Sequence, residues 1–186
     1  MRRSAWLACV TLLFAAIGMA GNWIPPPLDA NANLMQRLAG AHWIGGGAKS
    51  SDRMVYVFTD PNCPYCNDLW TALQREPSRD VQIRYLLVAV IDADSHAKDA
   101  AILESADPMQ ALGDHERRFA QGGISPKPKS RSETNEILSA NEGLMSKLHI
   151  YATPGLVYLD ARKEMKVFVG MPSQKQLHMI LGEAGS

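Results

Sequence analysis

The sequence predicts an α/β sandwich built around a mixed sheet, with a helical insertion between a βαβ half and a ββα half. Three observations predict it. Two β-branched and aromatic runs, over 54–59 and 81–90, flank one helical segment. Two further short apolar runs, 155–159 and 165–169, bracket the turn-forming residues 160–164 in the manner of a hairpin. Between these halves, the stretch 95–149 carries helical spacing and helix caps in place of strand alternation. A length of 186 residues suits one domain with an insertion and can bury a sizeable core.

The amino-terminal twenty residues hold Arg2 and Arg3, no acid, and 15 apolar side chains. Residues 1–4 form a short positive start, 5–17 an apolar run, and Gly18-Met19-Ala20 offers small side chains for a peptidase, the pattern of a cleavable export signal over 1–20. The run 5–20 falls short of the roughly 20 residues that span a bilayer. Cys9 leaves with the signal, so the exported chain carries only Cys63 and Cys66 into an oxidising compartment. Residues 22–27 make a Trp/Pro-rich extended spacer, and 29–38 a helix capped by Asp29. The whole stretch 21–40 reads as a tether outside the core, and 41–186 as the domain proper.

Three consecutive glycines make 45–52 a turn, and 54–59 then reads as a buried strand. A helix follows over 64–76, with Pro64 suited to the first helical position and Pro77 to the stop. The second strand is 81–90. Helices are expected over 97–105, 108–121 and 132–148, with a loop at 122–129 marked by two glycines and two prolines. A helix over 173–181 closes the chain.

Lysine and arginine number 19, as do aspartate and glutamate; without the first twenty residues, 17 basic side chains face 19 acidic ones. No basic excess marks a nucleic-acid binder. Three cysteines are too few to staple a chain of this length, and 46% hydrophobic residues are too many for a disordered one.

The chemistry lies in Asp60-Pro61-Asn62-Cys63-Pro64-Tyr65-Cys66, which joins the first strand to its helix. With Cys63 at the cap and Cys66 three residues on, the two sulfurs share a face and can close a small disulfide ring. Unpaired amide groups and the positive end of the helix favour a thiolate at Cys63, which makes it the nucleophile and leaves Cys66 to resolve the mixed disulfide. A purely structural disulfide would gain little from so small a ring. Metal binding would need more ligands than two cysteines. Residues 92–96 read as an acidic helix start, and His42, His115, His149 and His178 as surface or packing residues, with Trp70 as core or groove wall.

A second element, Ala152-Thr153-Pro154-Gly155, stands before the hairpin, and the whole arrangement resembles the thioredoxin superfamily. The resemblance extends over roughly 34–186 to the periplasmic DsbC/DsbG proteins, nearest their DsbG branch. It is carried by His42-Trp43-Ile44, Val55-Tyr56-Val57-Phe58, the Asp60-to-Cys66 segment, Leu86-Leu87-Val88 with Val90-Ile91, and Ala100-Ala101-Ile102-Leu103 with Asp107-Pro108. Asn141-Glu142, Leu144-Met145, Thr153-Pro154 and Val169-Gly170-Met171-Pro172 complete it.

The resemblance implies a thioredoxin-like fold and a protein disulfide reductase or isomerase type of enzyme. Cys63 is then the nucleophile and Cys66 the resolving cysteine. Thr153 and a cis Pro154, with Pro64 and Tyr65, meet the substrate. The redox-active Cys63–Cys66 disulfide is the only redox group implied, with no separate cofactor and no metal. Clients are exported cysteine-containing proteins bearing disulfides or sulfenic acids, a membrane thiol reductase returns electrons, and the location is the periplasm. The family's separate dimerisation domain finds no counterpart in 21–40, so the expectation is a monomer without nucleic-acid partners. Two alternatives stand beside this reading: a disulfide-donating oxidase, and a client-binding holdase module of a secretion or conjugation assembly that uses 95–149 as its surface.

Overall fold

Five strands among the described residues form one sheet: β1 (Ile44–Gly47), β2 (Met54–Thr59), β3 (Gln82–Leu87), β4 (Gly155–Leu159) and β5 (Met165–Val169). The structure is a computed structural model that describes residues 30–47, 51–75 and 80–182. The expected signal over 1–20 with Cys9, the spacer 22–27 and the Asp29 cap lie outside the described residues.

The spatial order is β1-β3-β2-β4-β5. β2 runs parallel to β3 and antiparallel to β4, with Phe58 facing Leu86 on one side and Gly155 on the other. β1 and β5 close the two edges in antiparallel pairing. Successive side chains of a strand point to opposite faces, and β2 uses both. Val55 and Val57 enter one core with Leu69, Ile83, Tyr85, Leu87, Leu156 and Ile180. Tyr56 and Phe58 enter the other with Leu38, Leu86, Leu144, Met145 and Val157. Burial on both faces explains why β2 reads as a continuous apolar run.

Six described helices cover the sheet: α1 (Ala30–Ala39), α2 (Pro64–Arg75), α3 (Ser95–Leu103), α4 (Pro108–Arg117), α5 (Ser132–Lys147) and α6 (Gln174–Leu181). α2 and α6 pack with the first core, α1 with the second. The insertion consists of α3, α4, a 3₁₀ turn at Phe119–Gln121 and α5. α5 reaches both cores, placing Leu138 in the first and Leu144 and Met145 in the second. No described helix is long and apolar enough to cross a membrane.

Four expectations change. The Gly45-Gly46-Gly47 segment, read as a turn, is the outer part of β1 and pairs with Gln82 to Arg84 of β3. The second strand stops at Leu87 instead of 90: Val88 N–H still reaches the Thr59 carbonyl at 3.0 Å, but the next two amides after Ala89 turn to the Asp60 side chain. The helix expected over 108–121 breaks after Arg117 into the 3₁₀ turn. The fourth change concerns α1, expected to be a tether: Leu38 is 0% exposed and belongs to the second core, with Leu34 and Met35 packed against it.

The topology gathers one end of the sheet. The carboxyl ends of β2 and β3, the amino end of β4 and the carboxyl end of β5 all lie there, because β4 is antiparallel to β2 and β5 to β4. The loops that carry the cysteine pair and Thr153-Pro154 therefore meet. Because Leu38 fills a closed site, Leu38→Ala should cost about 2–5 kcal/mol in equilibrium urea unfolding. A cost near zero would return α1 to the role of a tether.

Candidate functional site

Cys63 stands where β2 has ended and α2 begins. Its amide donates to the Asp60 carbonyl at 3.0 Å, and its own carbonyl accepts from Cys66 at 3.1 Å and Asn67 at 3.2 Å, the first turn of the helix. The backbone of that turn points at the sulfur: Cys66 N–H donates to Cys63 Sγ at 3.3 Å. As a thiol, Cys63 donates to the Thr153 carbonyl, also at 3.3 Å. The Thr153-Pro154 peptide bond is cis.

Both cysteines are free thiols, 2% and 3% exposed, yet their acidities diverge. The Cys66 side chain hydrogen-bonds the Cys63 sulfur and lowers its pKa to about 6; burial opposes this, while the Thr153 side chain and the Cys66 and Tyr65 amides reinforce it. Cys66 moves far the other way, first through burial and then through the hydrogen bond and charge of Cys63. One sulfur is prepared as a thiolate at neutral pH and the other as a thiol, the division of labour that exchange requires.

The loop before Cys63 is fixed by side chains to which the sequence alone assigns no such role. The Asp60 carboxylate is buried and accepts four hydrogen bonds, from Asn62 N–H at 2.8 Å, Ser95 Oγ at 2.9 Å, Val90 N–H at 2.7 Å and Ile91 N–H at 2.9 Å. Asn62 in turn donates to Asp94 at 2.6 Å and Ser95 at 2.9 Å, and accepts from Lys98 Nζ at 2.7 Å. From α4, the buried His115 bonds the Pro61 carbonyl through Nε2 at 2.8 Å. Its Nδ1 accepts the Ile124 N–H at 3.0 Å, which leaves Nε2 as the protonated nitrogen of a neutral ring. Burial lowers the His115 pKa in the same sense. Gly123 has φ +71° and lies so close that a β-carbon there would overlap the imidazole, which accounts for glycine at that position.

A family model described as a thioredoxin-like domain matches residues 47–185. The chain belongs to the thioredoxin-like family. Among curated relatives, the thiol:disulfide interchange protein DsbG of Pseudomonas aeruginosa is 39% identical over 152 residues, covering 80% of this chain and 59% of the relative. The protein of the same name from Escherichia coli is 37% identical over 156 residues, with 82% and 62% covered. The chain thus spans about three fifths of the length of these relatives. A periplasmic thioredoxin-like protein from Salmonella enterica serovar Typhimurium superposes with a TM-score of 0.64 at 18% identity, covering 83% of this chain and 97% of the other, a likeness of fold.

Within this thioredoxin-like frame, Cys63, Cys66 and Thr153 are brought into contact and Pro154 follows Thr153 directly. Pro64 and Tyr65 face outward, Tyr65 at 59% exposure. Val90, Ile91, Tyr151 and Met171, from the other loops at this end of the sheet, are exposed as well. The acidic start at 92–96 holds the loop through Asp94 and Ser95. His115 proved to be a packing residue of the site itself, while no group of three or more His, Cys, Asp or Glu side chains among the described residues could hold a metal ion.

Because the thiolate is the reactive form, alkylation of the reduced chain should rise along a titration centred near pH 6 and modify Cys63 while sparing Cys66 through neutral pH. A curve centred on the ordinary cysteine value, about 8.5, would contradict the geometry described for Cys63.

Proposed function

We propose that the chain is a periplasmic protein thiol–disulfide oxidoreductase that reduces or exchanges disulfides, and reduces sulfenic acids, of exported cysteine-containing clients. The observation that carries this reading is the Cys63 sulfur, placed at a helix start between the Cys66 amide and the Thr153 carbonyl with its pKa lowered to about 6. The DsbG relatives, named for thiol:disulfide interchange, support it.

The Cys63 thiolate attacks one sulfur of a client disulfide, forming a Cys63–client bond and expelling the other client sulfur as a thiolate that takes a proton from water. Cys66 then loses its proton and attacks Cys63 Sγ. The second client sulfur leaves, the client has gained two electrons, and Cys63–Cys66 is a disulfide. With a sulfenic acid, the first step expels the oxygen as water after protonation, and the second is the same. The redox-active disulfide is the only redox group required; no metal enters. A membrane thiol reductase returns two electrons to the pair.

The exposed Tyr65, Tyr151, Val90, Ile91 and Met171 offer an apolar rim for an unfolded client segment, with Pro64, Thr153 and Pro154 against its backbone. In this reading the unit acts as a monomer.

Disulfide reduction by the purified chain should fall to background in Cys63→Ala, and Cys66→Ala should accumulate the mixed disulfide. Full activity in Cys63→Ala would sink the enzyme reading. In cells, the pair should be found mostly reduced; a mostly oxidised pair would assign the chain to disulfide donation instead.

A further inference from the structure

The insertion places a carboxyl beside the pair that the exchange steps above leave unused. Glu116 of α4 is 5% exposed. Asn67, the residue after Cys66, clamps it: Asn67 Nδ2 donates to both Glu116 Oε2 and the Glu116 carbonyl at 2.8 Å, while Asn67 N–H bonds the Cys63 carbonyl at 3.2 Å. A short covalent and hydrogen-bonded path therefore joins the carboxyl to the first turn of α2. Glu116 and both sulfurs are buried, so charge on one group is felt by the other.

We propose that Glu116 is a redox-linked proton site, protonated while Cys63 is a thiolate and ionised when Cys63 is bonded in a disulfide. It is a positioning residue, acting on the sulfur through the field and through Asn67. Two negative charges in one buried pocket are costly, so the arrival of the thiolate draws a proton to the carboxyl. Reduction of the pair then takes up two electrons and two protons, one on Cys66 and one on Glu116. Without the carboxyl it takes up two electrons and one proton. Oxidation returns both protons.

The shift of the group agrees: burial, and after it the Cys63 charge, pushes Glu116 up to about 7, with the Asn67 hydrogen bond opposing. Other groups facing it do not substitute for this role. Tyr85 of β3 has its phenol pushed up by burial and by Glu116 itself. His115, on the same helix, is neutral through its two hydrogen bonds. Arg117 lies with its guanidinium 6.0 Å from the Trp70 ring and 2.6 Å from Asp114. Asp60 already accepts four hydrogen bonds.

The sign follows from linkage. In the reduced state the carboxyl titrates near 7; in the disulfide it lacks the opposing Cys63 charge and titrates lower. Between those two values, the reduced state binds the additional proton, so falling pH favours reduction by up to a further tenfold per pH unit, equivalent to about 30 mV.

The proposal rests on exchange at Cys63 and Cys66 and is tested by equilibrating the purified chain and Glu116→Gln with glutathione from about pH 5 to pH 8. Glutamine keeps an oxygen for Asn67 but cannot ionise. Glutathione itself takes up two protons on reduction in this range, so potentials are compared with that contribution included. From about pH 6 to about pH 7 the wild-type potential should then carry the additional pH-dependent component and Glu116→Gln should lack it, while below about pH 6 protonation of Cys63 adds a component to both. Equal pH dependence in a folded variant overturns the proposal while leaving exchange intact, whereas absence of any exchange in the wild type defeats the functional reading. A reduced-minus-oxidised infrared difference spectrum of the wild type near pH 6.5 serves if the variant does not fold. It should show a protonated-carboxyl band in the reduced state that is lost on oxidation, and no such band overturns the proposal. Asp99, also buried, has its pKa raised by burial and then by the Asp60 and Glu142 charges; the Cys63 charge is not among these causes, so its contribution cancels between the two redox states.

Discussion

The buried carboxylate of Asp60 is the constraint on which the reactive end of this molecule depends. A charge that is 1% exposed is tolerated only when its lone pairs are filled, and four donors fill them. Those donors come from the cysteine loop, from the two residues that leave the sheet after β3, and from the first turn of α3. One carboxylate thus ties the end of the central strand to its parallel neighbour and to the insertion. Removing it would leave several buried donors unpaired together, a loss in the range of about 3–5 kcal/mol. It also explains why β3 ends early. The amides of Val90 and Ile91 are committed to a side chain and are lost to the sheet.

Around that anchor the insertion behaves as part of the site. α3 holds Asn62 through Asp94, Ser95 and Lys98, and α4 holds Pro61 through His115. Two residues that precede Cys63 are therefore gripped by elements more than thirty residues away in sequence. An exchange site needs a sulfur whose position does not drift as its charge changes, because the helix start stabilises a thiolate only over the first turn. The side-chain grip supplies that fixity to a loop that would otherwise be free at its outer edge.

Much of this was legible in the sequence and some was not, for physical reasons. The bounds of β2, β4 and β5 could be read because apolar runs stand between turn residues. β1 could not, because its pairing is made by the backbone of three glycines, and composition reports side chains. The signal that could have revealed it is Trp43-Ile44, an apolar pair that precedes them; the Trp43 ring lies where a Gly45 side chain would be. α1 reads as a tether because a Trp/Pro-rich spacer precedes it, although Leu34, Met35 and Leu38 show the spacing of a buried helical stripe. The cysteine pair was plain from its spacing and its place after a strand. Its supports were not, since His115 acts on the loop at Pro61 and Asn67 and Glu116 meet between α2 and α4, contacts that no local pattern encodes. A histidine and glutamate adjacent on a helix, behind the buried Leu112, were the only hint.

The opposed acidities of the two cysteines have a kinetic meaning that follows from the same geometry. A thiol of low pKa is a good leaving group as well as a ready nucleophile. In the Cys63–client mixed disulfide, attack by the freed client thiolate on the client sulfur expels Cys63, the sulfur best able to carry charge, so the intermediate reverts unless the client sulfur also leaves readily when Cys66 attacks Cys63, or Cys66 is made reactive in place. Burial of Cys66 works against that reactivity, since it penalises the charged form. The balance between reversal and completion therefore depends on the local field at the first turn of α2. The helix start and the Cys66 hydrogen bond favour charge on Cys63, while a carboxylate at Glu116 disfavours it. Because one influence comes from the thioredoxin-like core and the other from the inserted helix, the insertion can tune the redox poise of the pair without altering the motif that carries the chemistry.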